Sequence, residues 1–220
     1  MTNPIDQFAR QKYAVVRGCL ADPQLSLLYR YACKRASIGT MSRDAQVPDA
    51  WSAHGDLFMD GLLLDTLPLA EEVTQAKLFP TYSYFRVYKN GDVLDKHKDR
   101  PSCEISLSLC LGYEAEMPWP IWIEGPAGVA SIKLQPGDAL FYRGIECSHW
   151  REPMVGERAV QVFLHYVDQN GPYAQWKFDK RPSLSSQRLP VNLGGNIPLN
   201  IGRALRWFIV SSMGQLALAG

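Results

Sequence analysis

From Phe79 to about residue 168 the chain alternates short strand-like runs with turn signals: TYSYFRVY, KNGD, EISLSLCL, PIWIEG, ASIKL, QPGD, ALFYRG and AVQVFLHYV. β-Branched and aromatic residues fill the runs, and Gly, Pro, Asn and Asp separate them. Many short strands at this spacing predict an antiparallel sandwich or barrel rather than a βαβ fold. Within the series QPGDAL reads as a hairpin turn.

The chain ahead of Phe79 has a different character. Residues 13–20, YAVVRGCL, read as a short strand. Asp22 followed by Pro23 predicts a capped helix start, and QLSLLYRYACKRA carries apolar residues at helical spacing. Residues 37–54 read as loop. A helix is expected between residues 56 and 77, broken or kinked at Pro68, with Leu69, Val73 and Ala76 as a narrow apolar stripe. The expected fold is therefore mainly β with N-terminal helices. Residues 1–182 form one domain, with helices in 1–78 and the β core in 79–168, and residues 183–220 form a C-terminal extension. That extension is rich in Ser, Pro, Asn and Gly until Asn200, where an amphipathic helix is expected to begin.

Composition narrows the function classes. The chain of 220 residues is 46% hydrophobic and 20% charged, with a net charge of +1. A nucleic-acid partner or an anionic membrane surface has no electrostatic support in such a balance. The apolar stretch WFIVSSMGQLALAG is shorter than the roughly 20 residues of a spanning helix. MTNPIDQFARQKY lacks a signal-peptide core, and the five cysteines form no CxxC pair. A reduced, cytoplasmic protein is expected, with the cysteines as small core residues and Cys147 the one nearest to candidate chemistry.

Only four histidines are present, and one stands in the segment DKHKD. A first-row metal with open coordination sites is held by two neutral imidazoles and one carboxylate on one face of the ion. In extended backbone, residues two apart point the same way, so His97 and Asp99 can converge on one ion. The third ligand must come from a neighbouring strand, and the candidates are His54, His149 and His165. His54 lies in the helical N-terminal part. His165 falls on the opposite face of AVQVFLHYV from Arg158. His149, at the end of ALFYRG and its extension, is the expected ligand. Arg158, at the start of the following strand, offers a guanidinium to hold a carboxylate in a bidentate pair beside the metal. Tyr82, Tyr84, Arg86 and Tyr88 alternate on one strand face, where Tyr82 reads as packing. Arg86 either approaches the cavity or pairs with an acidic neighbour. Trp119, Pro120 and Trp122 line an entrance or cap one end of the barrel.

His97-x-Asp99, His149 and Arg158 inside a strand-rich core resemble the iron(II)/2-oxoglutarate-dependent dioxygenases. YKNGDVLDKHKD is most similar to their prolyl-4-hydroxylase-like branch, whose motif runs tyrosine, turn glycine, then HxD. The resemblance implies a double-stranded β-helix, or jelly roll, over residues 79–168. It implies Fe(II) held by His97, Asp99 and His149, with 2-oxoglutarate and O2 as cosubstrates and ascorbate as an accessory reductant. Arg158 would take the distal carboxylate of 2-oxoglutarate, and Tyr88 matches the tyrosine that contacts the cosubstrate. EISLSLCL places Ser106, Ser108 and Cys110 on one face, expected to look into the cavity. Cys110 departs from the animal oxygen-sensing prolyl hydroxylases, which carry a tyrosine there, and Val162 stands in place of their threonine. Ser108 and Tyr84 are the substitute hydrogen-bonding groups. The implied reaction hydroxylates an unactivated carbon of an amino-acid or peptidyl side chain, or of a small metabolite, releasing succinate and CO2. Asp99 fills the position that related halogenases leave to a halide. The rival is a non-catalytic, cupin-like metal-binding or sensor module, which needs no carboxylate anchor.

Overall fold

The computed structural model describes residues 3–184. The first element is a helix not expected from the sequence: α1 (Pro4–Gln11), whose Asn3 side chain accepts from the Ile5 amide and whose first turn holds Pro4. Next come β1 (Tyr13–Val16), α2 (Asp22–Ser37), β2 (Trp51–His54), α3 (Leu57–Asp65) and α4 (Leu67–Thr74). Asp22 is the first helical residue rather than the cap; Ala21 occupies the cap and gives no side-chain bond. Pro68 divides the expected long helix in two, standing in the first turn of α4, where a missing N–H costs nothing. Val73 is buried on that helix, but Ala76 lies beyond its end.

Eight strands complete the core: β3 (Leu78–Lys89), β4 (Leu94–His97), β5 (Ile105–Glu114), β6 (Ile121–Gly125), β7 (Gly128–Ile132), β8 (Ala139–Arg143), β9 (Ser148–Arg151) and β10 (Arg158–Asp168). They form two antiparallel sheets, ordered β1-β8-β5-β10-β3-β2 and β4-β9-β6-β7. This is the double-stranded β-helix. Three local expectations are corrected. Trp51–His54 is a strand on the edge of the larger sheet, not loop or helix, and its partner is β3. His149 belongs to a strand of its own, β9, rather than to an extension of β8. QPGD does not close a hairpin, because β7 and β8 lie in different sheets; Asp138 instead accepts from Arg17 and from the backbone of Gly18 and Gln135.

The two faces of the larger sheet divide the residues cleanly. Leu107, Leu109 and Leu111 of β5, Val160, Val162 and Leu164 of β10 and Phe85 of β3 face the helices and pack against Leu25, Leu28, Met59, Leu63 and Val73. Each such buried aliphatic side chain contributes about 1.5–3 kcal/mol. The other face looks toward the smaller sheet and carries Ser106, Ser108 and Cys110, all fully buried. Val162 belongs to the helix side, so its position relative to the cavity is not that of a lining residue. The smaller sheet turns Trp122 and Trp150 outward, stacked at 6.1 Å, and His149 and Arg151 inward. The helix expected after Asn200 and the rest of the extension past residue 184 lie outside the described residues. Among the described residues no helix is long and apolar enough to cross a membrane.

Candidate metal centre

β4 and β9 are neighbours in the smaller sheet, and their register sets His97 directly opposite His149. That pairing is why two histidines so far apart in sequence meet. Their rings are 4.3 Å apart, centroid to centroid. Asp99 Oδ1 lies 3.7 Å from His97 Nε2 and 3.6 Å from His149 Nε2. Atoms that share one first-row ion at about 2.1 Å stand roughly 3.0–3.4 Å apart, so a contraction of a few tenths of an ångström would bring these onto one ion. The Nδ1 atoms are committed elsewhere, His97 to the Asp95 carbonyl at 2.7 Å and His149 to the Cys147 carbonyl at 3.1 Å. Each ring therefore turns its Nε2 lone pair toward the shared point, the arrangement that fixes tautomer and orientation in metal sites. Burial holds His149 below the usual imidazole range, in the neutral form a ligand requires.

Asp99 is held as firmly. Its amide donates to the Gly144 carbonyl at 2.9 Å, and its Oδ2 accepts from Ser106 Oγ at 2.8 Å. Any side chain at Gly144 would bring a carbon within 2.3 Å of Asp99 Oδ2 and 2.4 Å of the Cys103 carbonyl. A glycine at this point is required by close approach, a constraint with no local sequence signature.

The site opens into a cavity of about 350 Å³. Its walls combine rings (His54, Tyr82, Tyr84, Phe163) with two ion-paired groups. Arg86 does both things the sequence left open: it lines the cavity and it pairs with an acid, donating from Nη2 to both carboxylate oxygens of Asp44 at 2.9 and 3.0 Å. Tyr84 also donates to Asp44. Tyr84 thus stands at the cavity mouth, its hydroxyl spent on the loop. On the other side Arg100 forms a two-pronged pair with Asp179 at 2.9 Å. His54 is not brought to the metal cluster; it stacks on Tyr82 at 4.5 Å.

Arg158 does not enter this cavity. It lies on the helix-facing side of β10 and pairs with Glu114 at 3.2 Å and Glu157 at 2.8 Å, one-third exposed. The alternation of β10 is as expected from sequence, but the inward face is the one with Gln161, Phe163 and His165. The missed cation is Arg151, two residues past His149 on the same face of β9 and fully buried. It donates to the Trp119 carbonyl at 2.8 Å and lies over the Trp119 ring at 4.8 Å, while its Nε and Nη2 have no partner. Among the described residues no carboxylate pairs with it. Ser108 Oγ and Gln161 Oε1 are likewise buried without partners. Tyr88, fully buried, and Cys110 complete this inner group, both close enough to Arg151 to act on its charge. Arg151 is not on the cavity wall itself; Tyr142, which is, approaches His149 Nε2 at 3.4 Å and also acts on Arg151. Trp119 caps the barrel end rather than an entrance, edge-on to Tyr88 at 4.8 Å.

No family model and no curated relative matches the sequence. Solved structures do match the fold. A Pseudomonas putida prolyl-4-hydroxylase superposes with a TM-score of 0.62 at 15% identity, over 74% of this chain and 96% of that one. The α-ketoglutarate-dependent epimerase SnoN from nogalamycin biosynthesis gives a TM-score of 0.66 at 13% identity, over 88% of this chain and 91% of that one. HygX from Streptomyces hygroscopicus, solved with nickel, 2-oxoglutarate and hygromycin B bound, gives 0.61 at 11% identity, over 77% of this chain and 88% of that one. The chain has the fold of the non-haem iron, 2-oxoglutarate-dependent oxygenases, prolyl-4-hydroxylase among them.

Proposed function

We propose that this protein is an iron(II)- and 2-oxoglutarate-dependent oxygenase that hydroxylates a carbon of its substrate. The observation that carries the reading is the convergence of His97, Asp99 and His149 beside an inner group of unpaired polar atoms that includes a buried, carboxylate-free arginine. Iron with 2-oxoglutarate and dioxygen supplies the oxidation of a C–H bond, with succinate and CO2 released. The chain's own residues divide the remaining tasks. His97 and His149 hold the metal through Nε2, and Asp99 through Oδ1. Arg151 takes the distal carboxylate of the cosubstrate, the role expected of Arg158. A buried cation without a countercharge is costly, and an anion relieves that cost. Arg151 lies one pleat from His149, roughly 7 Å along the strand, about the reach of a five-carbon diacid. Ser108 and Gln161 bring hydrogen-bonding capacity to the same group. Arg86 is the weaker candidate for this role, because Asp44 already occupies its guanidinium.

Asp99 keeps the carboxylate position filled, which favours hydroxylation over halide transfer. For the substrate, the similar structures include one in complex with a hypoxia-inducible factor peptide fragment and others with hygromycin B or a nogalamycin compound. A peptidyl side chain and a small molecule both fit the reading. A cupin-like binding module that does not turn over is the other reading, and Arg151 disfavours it, since a bare metal site has no use for a buried anion anchor. Anaerobic addition of iron(II) and 2-oxoglutarate is the test. A visible metal-to-ligand charge-transfer band, lost in His97→Ala, and succinate on admitting air are expected. Absence of both would sink the proposal.

A further inference from the structure

We infer that Ser106 and His165 form a relay that orients Asp99, and that the relay leaves His165 presenting a bare nitrogen to the substrate chamber. The inference rests on Asp99 being a ligand. An ionised carboxylate only accepts hydrogen bonds. Ser106 has one proton, and the Asp99 oxygen at 2.8 Å is a nearer and better acceptor than the Cys103 carbonyl at 3.3 Å. Toward His165 Nδ1, 3.0 Å away, the serine oxygen must therefore accept, so Nδ1 carries the hydrogen. A neutral imidazole holds a single N–H, which leaves Nε2 with its lone pair. No protein group among the described residues takes that lone pair, and the ring lines the cavity.

The relay is built in, not incidental. His165 and Ser106 are directly paired across β10 and β5. Tyr82 packs on the His165 ring at 4.5 Å, and His54 stacks on Tyr82 at the same distance, so the imidazole is backed by a stacked pair of rings. Two consequences follow. Oδ2 is tied back, so Oδ1 is the oxygen turned to the two histidines. The chamber beside the metal also contains one fixed acceptor. A substrate bound there gains by placing a hydroxyl, amine or amide N–H against His165 and loses by placing a carboxylate or ketone oxygen there. Alcohols, amines and amides are the substrate class this nitrogen selects.

Three measurements test the relay. In protein loaded with zinc and labelled with nitrogen-15 in histidine, the His165 signals should show a protonated Nδ1 and a bare Nε2. His165→Asn, whose amide N–H replaces Nδ1–H, should keep manganese(II) affinity close to the parent. His165→Phe and Ser106→Ala should weaken it by roughly 10- to 100-fold, the usual size of losses beyond the ligands themselves. A protonated Nε2, or full manganese affinity in Ser106→Ala and His165→Phe, overturns the relay. If His97→Ala also keeps its manganese, the ligand assignment fails; if only the relay variants keep theirs, the relay fails and the ligand assignment stands.

Discussion

The two polar groups inside this barrel are built on opposite principles. Around His97, Asp99 and His149 the hydrogen bonds are made: both Nδ1 atoms have carbonyl partners, and Asp99 is tied to Gly144 and Ser106. By contrast, Arg151 of β9, Ser108 of β5 and Gln161 of β10 together leave four buried atoms without partners. Native proteins rarely tolerate such orphans without a reason. The first group is preorganised, which suits the metal-binding role proposed for it. The second is incomplete as protein alone, and the anion proposed for it would supply the missing partners.

The sharpest way to break that comparison is Arg151→Met, which swaps the buried cation for an apolar side chain of similar length. Truncating one partner of a buried charge pair costs about 3 kcal/mol, so 2-oxoglutarate should bind roughly 100-fold more weakly by calorimetry. The ligand-free protein should gain stability, by about 1–4 kcal/mol, because an uncompensated buried charge is gone. Weaker binding together with higher stability is the signature of an anion site held open. A variant that binds 2-oxoglutarate normally and melts lower would make Arg151 a structural residue.

The metal end makes a prediction with pH. Burial pushes His165 down to about 4 from an ordinary 6.5. Between these values the unfolded chain takes up a proton at this residue and the native chain does not. Stability of the metal-free protein should therefore fall as pH drops below 6.5 and level off near pH 4, by up to ~3 kcal/mol from this group. Urea midpoints at pH 7, 5.5 and 4.5 measure the slope, and His165→Phe should flatten it. An equally steep slope in that variant would assign the acid sensitivity to other groups. His149, also held low by burial, shifts stability in the same direction.

The strand-rich core and the HxD segment were legible because both rest on local signals: period-two alternation, turn residues and the spacing of His97 and Asp99. What sequence could not supply was which face of an all-apolar strand looks inward. AVQVFLHYV is buried on both sides, so its parity separates Arg158 from Gln161 without saying which one meets the cavity. Arg151 was hidden for a related reason. It stands at the start of REPMVGE, a turn-like segment, and only the pairing of β9 with β4 and β6 shows that it is enclosed. Gly144 and the Asp44 loop belong to the same class, since close approach and a loop reaching to Arg86 are facts of tertiary structure alone.

The smallest expected effect is also the one that separates the two faces of β10. Arg158 is partly exposed, and its partners Glu114 and Glu157 are more exposed still. Surface pairs of this kind contribute under about 1 kcal/mol, screened further by salt. Arg158→Ala should therefore lower stability by no more than that amount. It should leave 2-oxoglutarate affinity within roughly twofold, the ~0.5 kcal/mol usual for surface changes. Calorimetry on Arg158→Ala beside Arg151→Met tests the assignment of the inward face directly. A large loss of 2-oxoglutarate affinity in Arg158→Ala with little in Arg151→Met would return the anchor to β10 and require its register, with Gln161 facing inward, to be redrawn.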